Sequence, residues 1–60
     1  MLTIEQTRRV RELNYSRVSP AQEAISALIC AVPTGEDRNK LTEINIHLMR
    51  AQQLMRELCL

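Results

Sequence analysis

Sixty residues with a net charge of +1, two cysteines, one histidine, one tyrosine and neither phenylalanine nor tryptophan bound the answer before any pattern is sought. A single domain of this size buries only about 60% of its unfolded surface, so its stability is marginal and its core must be aliphatic. The composition argues against binding single strands by base stacking, which needs aromatic platforms. It is also too poor in His and Cys for a closed zinc site without carboxylates.

Residues 1–18 leave two readings open. Thr3 with Gln6 forms a capping box, and Glu5 with Arg9 is an i, i+4 pair, so a helix over about 3–13 is expected. Leu2, Ile4, Val10, Leu13 and Val18 do not share one helical face, and Asn14-Tyr15-Ser16-Arg17-Val18 has strand character. Met1 to Glu12 is charged and lacks the apolar stretch of a secretory signal, so a cytoplasmic chain with reduced thiols is expected.

The next element starts at Ser19-Pro20-Ala21-Gln22, with Ser19 as cap and Pro20 in the first turn. It runs to about Val32, because Pro33 disfavours helix in the residue before it. Ala21, Ala24, Ile25, Leu28, Ile29 and Val32 form its apolar stripe. Glu23, Ala27 and Cys30 make a weakly polar back, which suggests burial on several sides.

The third element, about 36–58, follows Thr34-Gly35-Glu36-Asp37, with Thr34 or Asp37 as its cap. Leu41, Ile44, Leu48, Ala51, Met55 and Leu58 are spaced 3-4-3-4-3, the a and d positions of a heptad. This helix would be about 35 Å long against about 19 Å for its predecessor. Its last turns, Ala51 to Leu58, therefore overrun the shorter helix and need the N-terminal segment or a second copy to cover them. No apolar run reaches the ~20 residues of a membrane span.

The expected architecture is a single small helical domain over 1–60. It is mainly α: a helical hairpin of about 20–32 and 36–58 with an N-terminal helix or short strand, in an intertwined homodimer. Ile25, Leu28, Ile29, Val32, Leu41, Ile44, Leu48, Ala51, Met55 and Leu58 form its core and dimer seam.

Candidate chemistry is sparse. Glu43 and His47 stand i, i+4 but read as a solvated pair beside the seam. Cys30 reads as a small buried apolar residue and Cys59 as a thiol on a frayed terminus. Ser16, Ser19 and Ser26 lack a nucleophile-elbow context. No cofactor or metal is expected, and a chain this short cannot enclose a water-excluding site within one subunit, so the expected function is binding rather than catalysis.

Two surfaces compete for a partner. Ile46 and Met49 lie outside the seam and with Thr42 and Gln53 form a second, thinner stripe suited to another protein's amphipathic helix. Arg8, Arg9, Arg11 and Arg17 are the candidate nucleic-acid contacts. On a helix they scatter to about 80°, 180°, 20° and 260°, whereas on a strand Arg9, Arg11 and Arg17 share one side with Leu13 and Tyr15. A paired basic ribbon of that kind fits a DNA major groove.

The segment 13–18, Pro20 opening a helix, and Gly35-Glu36-Asp37-Arg38 before a second helix resemble the ribbon-helix-helix repressors in outline. That resemblance implies DNA contacts from Asn14, Ser16 and Val18 or from the alternate set. The size, the cytosolic character, the paired helices and the need for a dimer are also similar to small early proteins encoded between the exonuclease and excisionase genes of lambda-like temperate phages. That resemblance implies a regulatory accessory protein of phage development acting on host proteins, and it transfers no functional residue.

Overall fold

Thr3 caps the first helix reciprocally. The Gln6 N–H donates to Thr3 Oγ1 at 3.1 Å, and the Thr3 N–H donates to Gln6 Oε1 at 2.9 Å. The capping box read from the sequence is therefore present, and it opens α1, Ile4–Leu13. This computed structural model describes residues 1–59.

The chain then departs from expectation. No strand forms near 13–18: Asn14–Val18 is a π-helical turn, in which the Ser19 N–H donates to Asn14 O, five residues back. The helix continues directly into α2, Ser19–Ala31. Ser19 lies in the right-handed helical region at φ −61°, ψ −47°, so it is an interior residue and not a cap. Pro20 passes through the helix instead of starting one. It has no N–H to donate, and the widened turn before it relieves the clash of its ring with the preceding turn. Ser16 Oγ donates to Glu12 O at 2.6 Å and occupies one carbonyl of this turn.

The π turn also sets the phase of the arm. Apart from Ser19, which lies beside Val18, the partly buried residues run Thr7, Val10, Asn14, Val18, Gln22, Ile25, Ile29 and Val32. Their spacing is 3-4-4-4-3-4-3, one residue more than an unbroken heptad rhythm. Without that extra residue the face would continue through Arg17, Ala21, Ala24, Leu28 and Ala31, all of which are exposed. One inserted residue rotates the following helix by about 100° and turns the β-branched side chains inward. This is why the apolar residues of the first eighteen positions fail to line up on a regular helix.

Val32 is extended at φ −99°, ψ 134°, as its position before Pro33 requires. A short connection through Gly35 leads to α3, Glu36–Leu58. Neither expected side chain caps it. The cap position is Gly35, which makes no side-chain bond, while Thr34 Oγ1 accepts from Arg38 Nη1 at 3.4 Å. Glu36 and Asp37 lie in the first turn, where the helix dipole favours negative charge.

The result is an antiparallel hairpin of two long arms, with overall extents of 44 × 17 × 12 Å. The first arm, α1 through α2, is about 42 Å long and slightly exceeds α3. The last turns of α3 overrun α2 as expected, and of the two expected covers it is the N-terminal segment that lies there: Ser19 lies against Gln52 and Thr7 against Cys59. Among the described residues no helix is long and apolar enough to cross a membrane.

The seam between the arms is not the expected one. On α3 the residues withdrawn from solvent include Leu41, Asn45, Leu48, Gln52, Met55 and Cys59. Leu41, Leu48 and Met55 belong to the expected set. Ile44 and Leu58 are exposed, and Ala51 is partly buried at the edge. On α2, Ile25, Ile29 and Val32 face the seam, whereas Leu28, Ala21 and Ala24 are exposed. The cause is polar pairing. Gln22 Nε2 donates to Asn45 Oδ1 at 3.0 Å, and Gln52 Nε2 donates to Ser19 Oγ at 3.1 Å. Asn45 and Gln52 lie in the interface because each has a partner on the other arm.

Candidate interaction surfaces

Ile46 and Met49 are 59% and 52% exposed on α3. They border a shallow groove of about 570 Å³ together with Arg50, Gln52, Gln53 and Arg56. Like the depression along α1 it is open and lined by one helix; it differs in having two large apolar side chains, Ile46 and Met49, beside the cationic Arg50 and Arg56. Among the described residues the one ion pair joins Lys40 to Glu36 at 3.9 Å, which leaves Arg50 and Arg56 free to meet an incoming carboxylate.

Further apolar surface lies elsewhere, with Ile4 and Tyr15 each 84% exposed on the first arm. Leu13, Leu28, Ile44, Leu54 and Leu58 are each about half exposed. No apolar side chain among the described residues is buried; Gln52, at 8% exposure, is the most enclosed of them. Of the expected core and dimer seam, the hairpin itself brings together Ile25, Ile29, Val32, Leu41, Leu48 and Met55, and leaves Leu28, Ile44 and Leu58 outside.

Arg8, Arg9, Arg11 and Arg17 are all exposed and stand on the helical first arm. The arrangement that would have aligned Arg9, Arg11 and Arg17 required a strand, and the π turn takes its place. The basic ribbon is therefore absent, and with it the basis of the ribbon-helix-helix likeness. A second depression along α1, bordered by Thr3, Glu5, Gln6, Arg8, Arg9 and Glu12, is an open groove along a single helix and encloses nothing.

The cysteines exchange their expected roles. Cys30 is exposed, whereas Cys59 is tucked against the first arm with its Sγ donating to Thr7 O at 3.6 Å. Cys30 lies away from the seam because the phase of α2 points Ile25 and Ile29 inward instead. Glu43 and His47 are exposed, and no group of three His, Cys, Asp or Glu able to hold a metal occurs among the described residues. Ser16 and Ser19 are engaged in the bonds already described, and Ser26 is exposed.

Sequence reasoning missed Leu54, which belongs to neither expected stripe and is nevertheless part of the open apolar surface. A signal was present: Ile44, Ala51, Leu54 and Leu58 are spaced 7-3-4 and share one face. No protein-family model, curated protein or solved structure matches this chain.

Proposed function

We propose that this chain is a non-catalytic helical interaction module that acts as a homodimer and regulates another protein by holding it on the Ile46–Met49 surface. The observation that carries this reading is the distribution of apolar surface: among the described residues no apolar side chain is buried and several large ones are exposed. A two-helix hairpin with no aromatic anchor cannot hold itself together with so little burial, and oligomerisation is the remedy open to a domain of this size.

The chemistry of the groove specifies the partner. An amphipathic helix with leucines or similar side chains along one face fits Ile46 and Met49, and acidic residues flanking that face fit Arg50 and Arg56. Met49 is flexible and polarizable, which suits a surface that adapts to its partner. The resemblance to small early phage proteins points toward a host protein as the target.

The test uses a fluorescein-labelled amphipathic peptide with leucines at helical spacing and glutamates beside them. We expect binding that Met49→Glu weakens at least about tenfold, as loss of a central apolar anchor does. A version of the peptide with lysines in place of the glutamates should not bind. Equal binding by the wild type and Met49→Glu would remove this surface from the account.

A further inference from the structure

The two inter-arm amide bonds divide the hairpin into unlike sides. Gln22 and Ser19 lie toward the Ser26 flank of α2, and Asn45 and Gln52 lie toward the Met49 flank of α3. In an antiparallel pair, those two flanks adjoin each other because the Gln22–Asn45 and Ser19–Gln52 bonds join them. One side of the seam is therefore closed by hydrogen bonds.

The other side is different in kind. On α3 it carries Ile44, Ala51, Leu54 and Leu58, with Lys40 and His47 as polar members. On the first arm it carries Leu13, Arg17, Ala21, Ala24, Leu28 and Ala31. Leu54 and Leu58 are 45% and 55% exposed. Large side chains stand on α3, and three alanines alternate with larger residues on the first arm. The Gln22–Asn45 bond sets Ala24 at about the level of Ile44.

We infer that this side is the dimer interface: a second copy of the chain lies face to face on it and closes a four-helix bundle. This rests on the reading of the chain as a homodimer and names the face that the dimer uses. A two-fold axis running along the hairpin, between the copies, sets α3 of each copy against the first arm of the other. At the levels set by the inter-arm bonds, Ile44 of one copy then meets Ala21 and Ala24 of its partner, and Leu54 comes level with Leu13 and Arg17.

The area agrees with that occupant. The chain exposes 5029 Å², whereas a folded monomer of 6.9 kDa exposes about 4000 Å². The excess, about 1000 Å² per copy, is what a stable dimer of standard size buries, about 800 Å² per partner. The Ile46–Met49 groove stays outside the bundle, so dimerisation and partner binding do not compete.

The experiment is sedimentation velocity with far-UV circular dichroism on the wild type, Leu54→Glu and Ser26→Glu. Leu54→Glu places a charge on the inferred interface, and Ser26→Glu places the same charge on the sealed side. We expect a dimeric wild type and a dimeric Ser26→Glu. Leu54→Glu should raise the dimer dissociation constant at least about a hundredfold, as loss of a central interface anchor does. Helical signal lost by Leu54→Glu on dilution, and retained by Ser26→Glu, supports the same interface, since folding then depends on it. A dimer that survives Leu54→Glu, or one broken by Ser26→Glu, overturns the face while leaving self-association standing. A folded monomeric wild type overturns the homodimer reading itself.

Discussion

The π turn makes a sharp prediction about chain length. Inserting one alanine between Ser16 and Arg17 rotates everything after it by a further 100° or so, which carries Val18, Ile25, Ile29 and Val32 off the seam. Complete burial of one such side chain contributes about 1.5–3 kcal/mol. These four are only partly withdrawn from solvent, so each supplies about 1 kcal/mol and the set about 4 kcal/mol. That equals the whole contribution of about 3–5 kcal/mol that a core of this size provides. We therefore expect the insertion to unfold the hairpin, seen as loss of helical circular dichroism at 25 °C. Deleting Ser16 has the opposite effect on phase, since it leaves an unbroken 3-4 rhythm through Val10, Asn14, Val18, Gln22 and Ile25. It does, however, place Pro20 in a regular α-helix, at a cost of about 3 kcal/mol. The deletion combined with Pro20→Ala should therefore fold with a Tm at or above that of the wild type. An insertion that melts like the wild type, or a combined variant that does not fold, would refute the argument that the extra residue sets the phase.

Asn14 Oδ1 is buried without a hydrogen-bond partner; Asn14→Leu should stabilise the chain by about 1–3 kcal/mol in urea titration, the usual penalty of an unpaired buried acceptor. Thr3→Ala removes the reciprocal cap of α1 and should cost about 1 kcal/mol, with carbon chemical shifts of residues 4–8 moving toward coil values. Gln52→Ala should cost about 1–2 kcal/mol through the lost bond to Ser19, whereas Gln52→Leu should recover the stability by filling the seam with an apolar group. A shift titration with duplex DNA at two salt concentrations should find no salt-dependent complex. Strong binding that weakens steeply with salt would return the arginines of the first arm to the account.

Two of the three helices, the break at Pro33 and the capping box at Thr3 are legible because each depends on local chemistry. The seam is harder to read because it is decided across the chain. Ile44, Ala51 and Leu58 form the more apolar heptad on α3. Asn45, Gln52 and Cys59 occupy the interface instead, since Gln22, Ser19 and the Thr7 carbonyl wait on the other arm. Hydrophobic periodicity cannot register a partner about thirty residues away. The Ser19-Pro20 pair misleads for a related reason. It carries the signature of a helix start, but the preceding turn widens and lets the helix run through. The apolar stripe read as one surface is in truth two: Leu41, Leu48 and Met55 hold the hairpin, and Ile44 and Leu58, with Leu54 beside them, are left for something outside it.

What lies outside is best tested by isotope-filtered nuclear Overhauser spectroscopy on a mixture of labelled and unlabelled chains. The account predicts intermolecular contacts from the methyl groups of Ile44, Leu54, Leu58 and Leu28, and none from Ile46 or Met49. Intermolecular contacts centred on Ile46 and Met49, or a folded chain with none at all, would contradict it.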